Sequence, residues 1–304
     1  MGACYPGCCG SSWTTRVAHC SAMTTVQAII LGLVQGITEF FPISSSAHLI
    51  LVPWLFDWQL TMSLGLEKTF DVALHLGTFI AILVLMRADV WRLLKAFFGS
   101  IRRFKIETRE EKLAWLLLIS TIPAALIGVA FESFIEEKLG QPWLIAILLI
   151  VFGAIMWAAD SLSPRSKNLA SLRWYHALLV GISQAAALAP GVSRSGVTLS
   201  ALRGLRINRE EAVRYAFLLT IPIIGGSAVY KGVKVMTQGG LPPDTGGAFL
   251  IGTVTALISG FFAAKFLLGY VRSHSLRGFV WYRFALGALV LILIIAGIRP
   301  PTIG

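Results

Sequence analysis

The sequence predicts an all-α polytopic membrane protein: six transmembrane helices plus two re-entrant helical hairpins in an inverted-topology repeat. Three observations predict it. Of 304 residues, 56% are hydrophobic and only 13% are charged, against roughly 25% charged in soluble domains. Six apolar runs approach the roughly 20 residues that cross a bilayer as helix. Two further apolar stretches are broken midway by proline and serine, and they match each other. The formal charge of +11, from 26 Lys+Arg against 15 Asp+Glu, would by itself point to nucleic acid. The apolar composition excludes that class, along with disordered chains, disulfide-rich secreted modules and coiled coils.

The first 22 residues differ from the rest. They hold all four cysteines, Cys4, Cys8, Cys9 and Cys20, and no apolar centre of the kind a signal peptide needs. Pro6 stands where a myristoylation motif wants Ser or Thr. Residues 1–22 are therefore read as a non-functional N-terminal extension, and 23–304 as a single membrane domain.

The six apolar runs cover 70–87, 113–131, 142–160, 214–232, 248–270 and 281–298. Pro123 and Pro222 are expected to kink their helices. The broken stretches are 26–52, interrupted by Pro42 with Ser44, Ser45 and Ser46, and 176–202, interrupted by Pro190-Gly191 with Ser193 and Ser195. Broken backbone at membrane depth is tolerated only inside protein or beside a wet cavity. Both are read as re-entrant hairpins.

Basic residues set the orientation. Segments 87–112, 161–175, 203–214 and 271–283 are basic; the intervening loops carry Asp57, Glu67 and Asp71, or Glu132, Glu136 and Glu137. Six crossings place every basic segment on the cytoplasmic side and both termini outside. The hairpins share Gly-x-x-Gln and Ser-x-Ser: Gly32, Gln35, Ser44 and Ser46 recur as Gly181, Gln184, Ser193 and Ser195, each offset by 149 residues. Three crossings lie between them, so repeat 1 (about 26–160) and repeat 2 (about 176–298) are inverted. Such folds place their site near the midplane, where broken helices meet.

The first hairpin reads QGITEFFPISSSAH (35–48). Gln35 and Glu39 share a helix face, and an intramembrane carboxylate needs a partner or a cation. Ser45 and His48 are three apart, a spacing that suits a nucleophile–base pair. The second hairpin reads PGVSRSGVT (190–198). Its Arg194 offers a guanidinium fork for phosphate oxygens. Ser44 and Ser193 are read equally as helix caps. His75, near the outer end of its span, is a weaker candidate, and Gln184 fits structural hydrogen bonding as well as function.

At these motifs the sequence resembles the undecaprenyl pyrophosphate phosphatase family, the bacitracin-resistance membrane phosphatases. The family patterns [E/Q]GxTEFLPxSSxGH and PGxSRSG appear here as QGITEFFPISSSAH and PGVSRSG. Gln35 stands where many members have Glu, and Ala47 where Gly is usual. The resemblance implies hydrolysis of undecaprenyl pyrophosphate to the monophosphate carrier of cell-wall synthesis, in the bacterial inner membrane. It implies Glu39 and Gln35 as ligands of a divalent metal, Mg²⁺ or Ca²⁺. Ser45 would be the nucleophile, His48 its acid/base partner and Arg194 the phosphate clamp. Ser44, Ser46, Gly191, Ser193, Ser195 and Thr198 would line the phosphate site. Serine and water both stay open as nucleophile, as does homo-oligomer formation. The alternative is a transporter or flippase of a phosphate-bearing lipid or organic anion, since inverted repeats are a transporter plan.

Overall fold

An apolar run inside a bilayer becomes helix because every backbone N–H must be bonded within its own segment. The computed structural model describes residues 23–58, 64–131, 135, 138–237 and 245–303. Among them are eleven α-helices: α1 (Thr25–Phe40), α2 (Ser45–Phe56), α3 (Leu64–Leu85), α4 (Arg87–Arg103), α5 (Arg109–Ala130), α6 (Pro142–Leu162), α7 (Trp174–Ala186), α8 (Arg194–Gly204), α9 (Arg209–Thr237), α10 (Gly246–Ser273) and α11 (Arg277–Ile295). Six are long and apolar enough to cross a membrane: α3, α5, α6, α9, α10 and α11. They coincide with the six expected runs. Pro123 and Pro222 lie inside α5 and α9, which continue past them. Residues 1–22, with their cysteines, and Glu132, Glu136 and Glu137 lie outside the described residues.

The two broken stretches are helix–turn–helix pairs, α1–α2 and α7–α8. Their arms run from 16 residues down to 11, shorter than the roughly 20 that span a bilayer. The second arm of each begins behind a serine in the left-handed half of φ space, Ser44 at 76° and Ser193 at 73°. Each serine caps its own helix, accepting from Ala47 N at 3.4 Å or Gly196 N at 3.1 Å. A positive φ is rare for a residue with a Cβ. It occurs at corresponding places in the two pairs, 149 residues apart.

Close helix contacts repeat as well. α1 packs on α10, and α7 on α5. A Cβ on Gly32 would stand 2.6 Å from the Gly252 carbonyl, one on Gly181 2.8 Å from the Ser120 carbonyl, and one on Gly36 would overlap Ser259 Oγ. Between α6 and α11 the symmetry is reciprocal. A Cβ on Gly153 would lie 2.9 Å from Phe284, and one on Gly287 2.8 Å from Ile150. Here corresponding residues are 134 apart, 15 fewer than at the hairpins; among the described residues α4 has no counterpart in the second half.

That helix corrects one expectation. Segment 87–112 was read as a charged loop, yet 87–103 is helical. Ser100 is buried there, Trp115 donates to its hydroxyl at 2.9 Å, and Phe97 packs on Trp115 with ring centroids 5.0 Å apart. One face is held by α5, and the basic residues occupy another. High charge hid a helical period. A second correction concerns arginines counted as loop charges. Arg203 and Arg283 are fully buried and Arg209 nearly so. Asp160, at the end of α6, accepts from Arg203 Nε at 3.2 Å and from Arg209 Nε and Nη2 at 2.7 and 2.6 Å. The charges pair because a buried guanidinium without partners is too costly to keep.

Candidate active site

The site forms where the two turns meet, around Glu39. Gln35 and Glu39 lie one helical turn apart on the buried face of α1, and Gln35 Nε2 donates to Glu39 Oε2 at 3.0 Å. Ser45 is the first residue of α2, and its hydroxyl donates to the same oxygen at 2.6 Å. Arg194 is the first residue of α8, and its Nη2 bonds Glu39 Oε1. The turns also touch directly. Gly191 N donates to Ser44 Oγ at 3.0 Å, and Ser195 Oγ to the Phe41 carbonyl at 3.2 Å. Ser46 and Ser195 lie 3.3 and 3.2 Å from Ser44 and Ser193. Thr198 is buried one turn further along α8.

The carboxylate is enclosed, its side chain 3% exposed, while Arg194 remains 22% exposed. The site therefore opens on the guanidinium side. Helix starts leave N–H groups without intrahelical acceptors. Among the described residues no hydrogen bond occupies the N–H of Ser45, Ser46, Arg194 or Ser195. Two helix N-termini and a guanidinium thus converge on one point, an arrangement that attracts anions.

The structure separates one expected pair. His48 does not meet Ser45. Its Nδ1–H reaches the Ser44 carbonyl at 2.7 Å, and its Nε2 accepts from the Tyr282 hydroxyl at 2.7 Å. Both ring nitrogens are committed, and Ser45 turns to Glu39 instead. His75, marginal in sequence, is brought in by α3: its Nε2 stands 3.5 Å from Glu39 Oε2 while its Nδ1–H bonds the Asp71 carbonyl at 2.7 Å. Gln184 points elsewhere, donating to the Ser120 carbonyl at 2.9 Å.

Two residues at the site were not anticipated, Tyr282 and Arg283. Arg283 closes the basic segment 271–283 and also lies inside the apolar run 281–298. That position was the available signal. Tyr282 had none, because its hydroxyl acts only through a partner 234 residues away.

A divalent cation at this site has limited protein donors. Among the described residues no three His, Cys, Asp or Glu side chains cluster to hold one. Gln35 Oε1, however, is buried with no hydrogen-bond partner. One carboxylate, that free amide oxygen and incoming phosphate oxygens form a donor set that fits a hard cation.

Fold and site together define a polytopic helical membrane protein in which two helix–turn–helix elements bring two helix N-termini and a guanidinium to one carboxylate. The sequence profile described as bacitracin resistance protein BacA matches residues 28–289, and the chain belongs to that family. An undecaprenyl-diphosphatase of Pelobacter propionicus is 42% identical over 277 residues, covering 91% of this chain and 99% of the relative. Those of Pelotomaculum thermopropionicum and Elusimicrobium minutum are each 44% identical, covering 89% of this chain and 97% and 98% of theirs.

Proposed function

We propose that this protein is an undecaprenyl-diphosphatase, releasing phosphate from undecaprenyl pyrophosphate and returning the monophosphate carrier to cell-wall synthesis. The observation that carries this is the convergence of Ser45 and Arg194 on Glu39 between two helix N-termini. Phosphoryl transfer needs positioned cations and donors more than covalent machinery. The free N–H groups of α2 and α8 receive the equatorial oxygens of the terminal phosphate. Arg194 exchanges its Glu39 bond for a phosphate oxygen, and this frees Glu39 Oε1.

Ser45 Oγ attacks the terminal phosphorus. Glu39 Oε2, already bonded to that hydroxyl, takes its proton. The bond to the bridging oxygen breaks, and the prenyl phosphate leaves. Water then attacks the phosphoserine: the Oγ–P bond breaks, Glu39 returns its proton to Ser45 Oγ, and the water's oxygen and protons leave with inorganic phosphate. The geometry favours Glu39 over His48 as the base, and His48 holds the Ser44 carbonyl at the start of α2. Glu39 and Gln35 Oε1 would hold a divalent cation, Mg²⁺ or Ca²⁺, which neutralises charge on the diphosphate.

The short arms support α1–α2 and α7–α8 as re-entrant pairs. Inversion then brings one in from each side, with both termini outside the bacterial cytoplasmic membrane.

The test is phosphate release from a prenyl pyrophosphate by purified protein in detergent, with and without chelator. Detergent abolishes transport and leaves hydrolysis intact. Expected is turnover that chelator suppresses, with acid-stable label on Ser45 from terminally labelled substrate. A folded preparation that releases no phosphate supports the transporter reading, which the inverted repeat otherwise favours.

A further inference from the structure

Arg283 is fully buried in α11 and has no carboxylate partner among the described residues. Its donors go to backbone carbonyls alone. Nε bonds Leu149 O at 3.1 Å; Nη1 bonds Pro42 O at 3.3 Å and Val192 O at 3.2 Å; Nη2 bonds Gly191 O at 2.7 Å and Leu148 O at 3.4 Å. A guanidinium has five N–H donors, and these are five bonds. Pro42 belongs to the first turn, Gly191 and Val192 to the second, and the other two to α6. One side chain thus collects the carbonyl face of both turns.

Its position explains the reach. Leu149 and Arg283 are 134 residues apart, the offset that relates α6 to α11. The Nε bond to Leu149 therefore joins corresponding positions of α6 and α11, which pack side by side. By holding the carbonyls of Pro42, Gly191 and Val192, Arg283 fixes the peptide units that lead into Ser44 and Ser193, the caps of α2 and α8.

We propose that Arg283 is a positioning residue for the phosphate site: it clamps both turns from behind and so sets the spacing between the N-termini of α2 and α8. It does not touch substrate, since the turns cover it. The proposal rests on the phosphatase reading, which wild-type turnover in the same preparation tests separately.

Lysine at this position keeps the charge but has three donors, so at least two carbonyls lose their partner. The experiment compares wild type, Arg283→Lys and Arg283→Gln, all purified in detergent and counted by folded molecule from size-exclusion elution and thermal unfolding. The transition-state probe is orthovanadate, whose trigonal-bipyramidal geometry needs both sets of donors in register. Expected for Arg283→Lys is kcat reduced tenfold or more per folded molecule, KM within threefold, and vanadate inhibition weakened in proportion to kcat; Arg283→Gln loses more. Three results overturn the proposal. One is wild-type kcat in folded Arg283→Lys, and another is a fall in kcat with vanadate inhibition unchanged. The third is failure of both variants to fold, which makes Arg283 a residue of stability alone. A wild-type preparation that turns nothing over removes the phosphatase reading instead.

Discussion

Ser45 and Arg194 are the same position of the repeat taken twice: each is the first residue of its helix, they are 149 residues apart, and both bond the carboxylate of Glu39. The two matching elements thus differ in what they supply. One copy supplies a hydroxyl, the other a fixed charge, and the residue equivalent to Glu39 in the second hairpin is Leu188. A single carboxylate sits between a hydroxyl and a guanidinium.

Glu39→Gln retains the shape and removes the proton acceptor for Ser45. Turnover is expected to fall on the order of 10²–10⁴-fold, the range for removing a general base. Phosphate release per folded molecule measures this, and metal titration of the variant should no longer follow wild type.

Arg194→Lys keeps the charge and loses the planar fork. A loss of about 10²-fold in kcat/KM is expected, as for removal of one oriented donor to a developing charge. Steady-state kinetics decide it; wild-type rates would take Arg194 out of the site.

Gly36→Val tests the packing that holds α1 in place. A Cβ at Gly36 overlaps Ser259 Oγ and stands 2.6 Å from Gly260 N, so α1 and α10 must separate. A cost of about 2 kcal/mol is expected from overpacking, read as a lower unfolding temperature. Because Glu39 is one turn away on α1, activity should fall in the same variant.

Asp160→Asn leaves Arg203 and Arg209 without their shared carboxylate. Removing one partner from a buried ion pair costs about 3–5 kcal/mol. Thermal unfolding in detergent should show this loss, while KM of the surviving folded protein stays near wild type, because the cluster lies at the far end of α8.

Much of the molecule was legible in the sequence because the bilayer leaves few options. Apolar length alone marked α3, α5, α6, α9, α10 and α11, and the proline–serine breaks marked the two hairpin turns. Glu39 and Arg194 stood out as charges that an apolar segment keeps only for a reason. Helix α4 was not legible, since its charges concealed the period of Val90, Leu93 and Phe97. The positive-inside rule also treated Arg203, Arg209 and Arg283 as surface charges, because counting cannot tell a guanidinium that faces water from one that bonds carbonyls.

By itself, then, the sequence determined the spans, the matching hairpin motifs and the side chains that gather around Glu39 at the two turns, Ser45 and Arg194, all of which follow from local composition and spacing. Only the tertiary structure decided the partners. His48 goes to Tyr282 and Ser44, Ser45 goes to Glu39, His75 enters from α3, and Arg283 gathers both turns. Those choices depend on which helices lie side by side. Helix adjacency comes from small-residue contacts such as Gly32 on Gly252 and Gly153 on Phe284, and these become visible only once the two halves have folded onto each other.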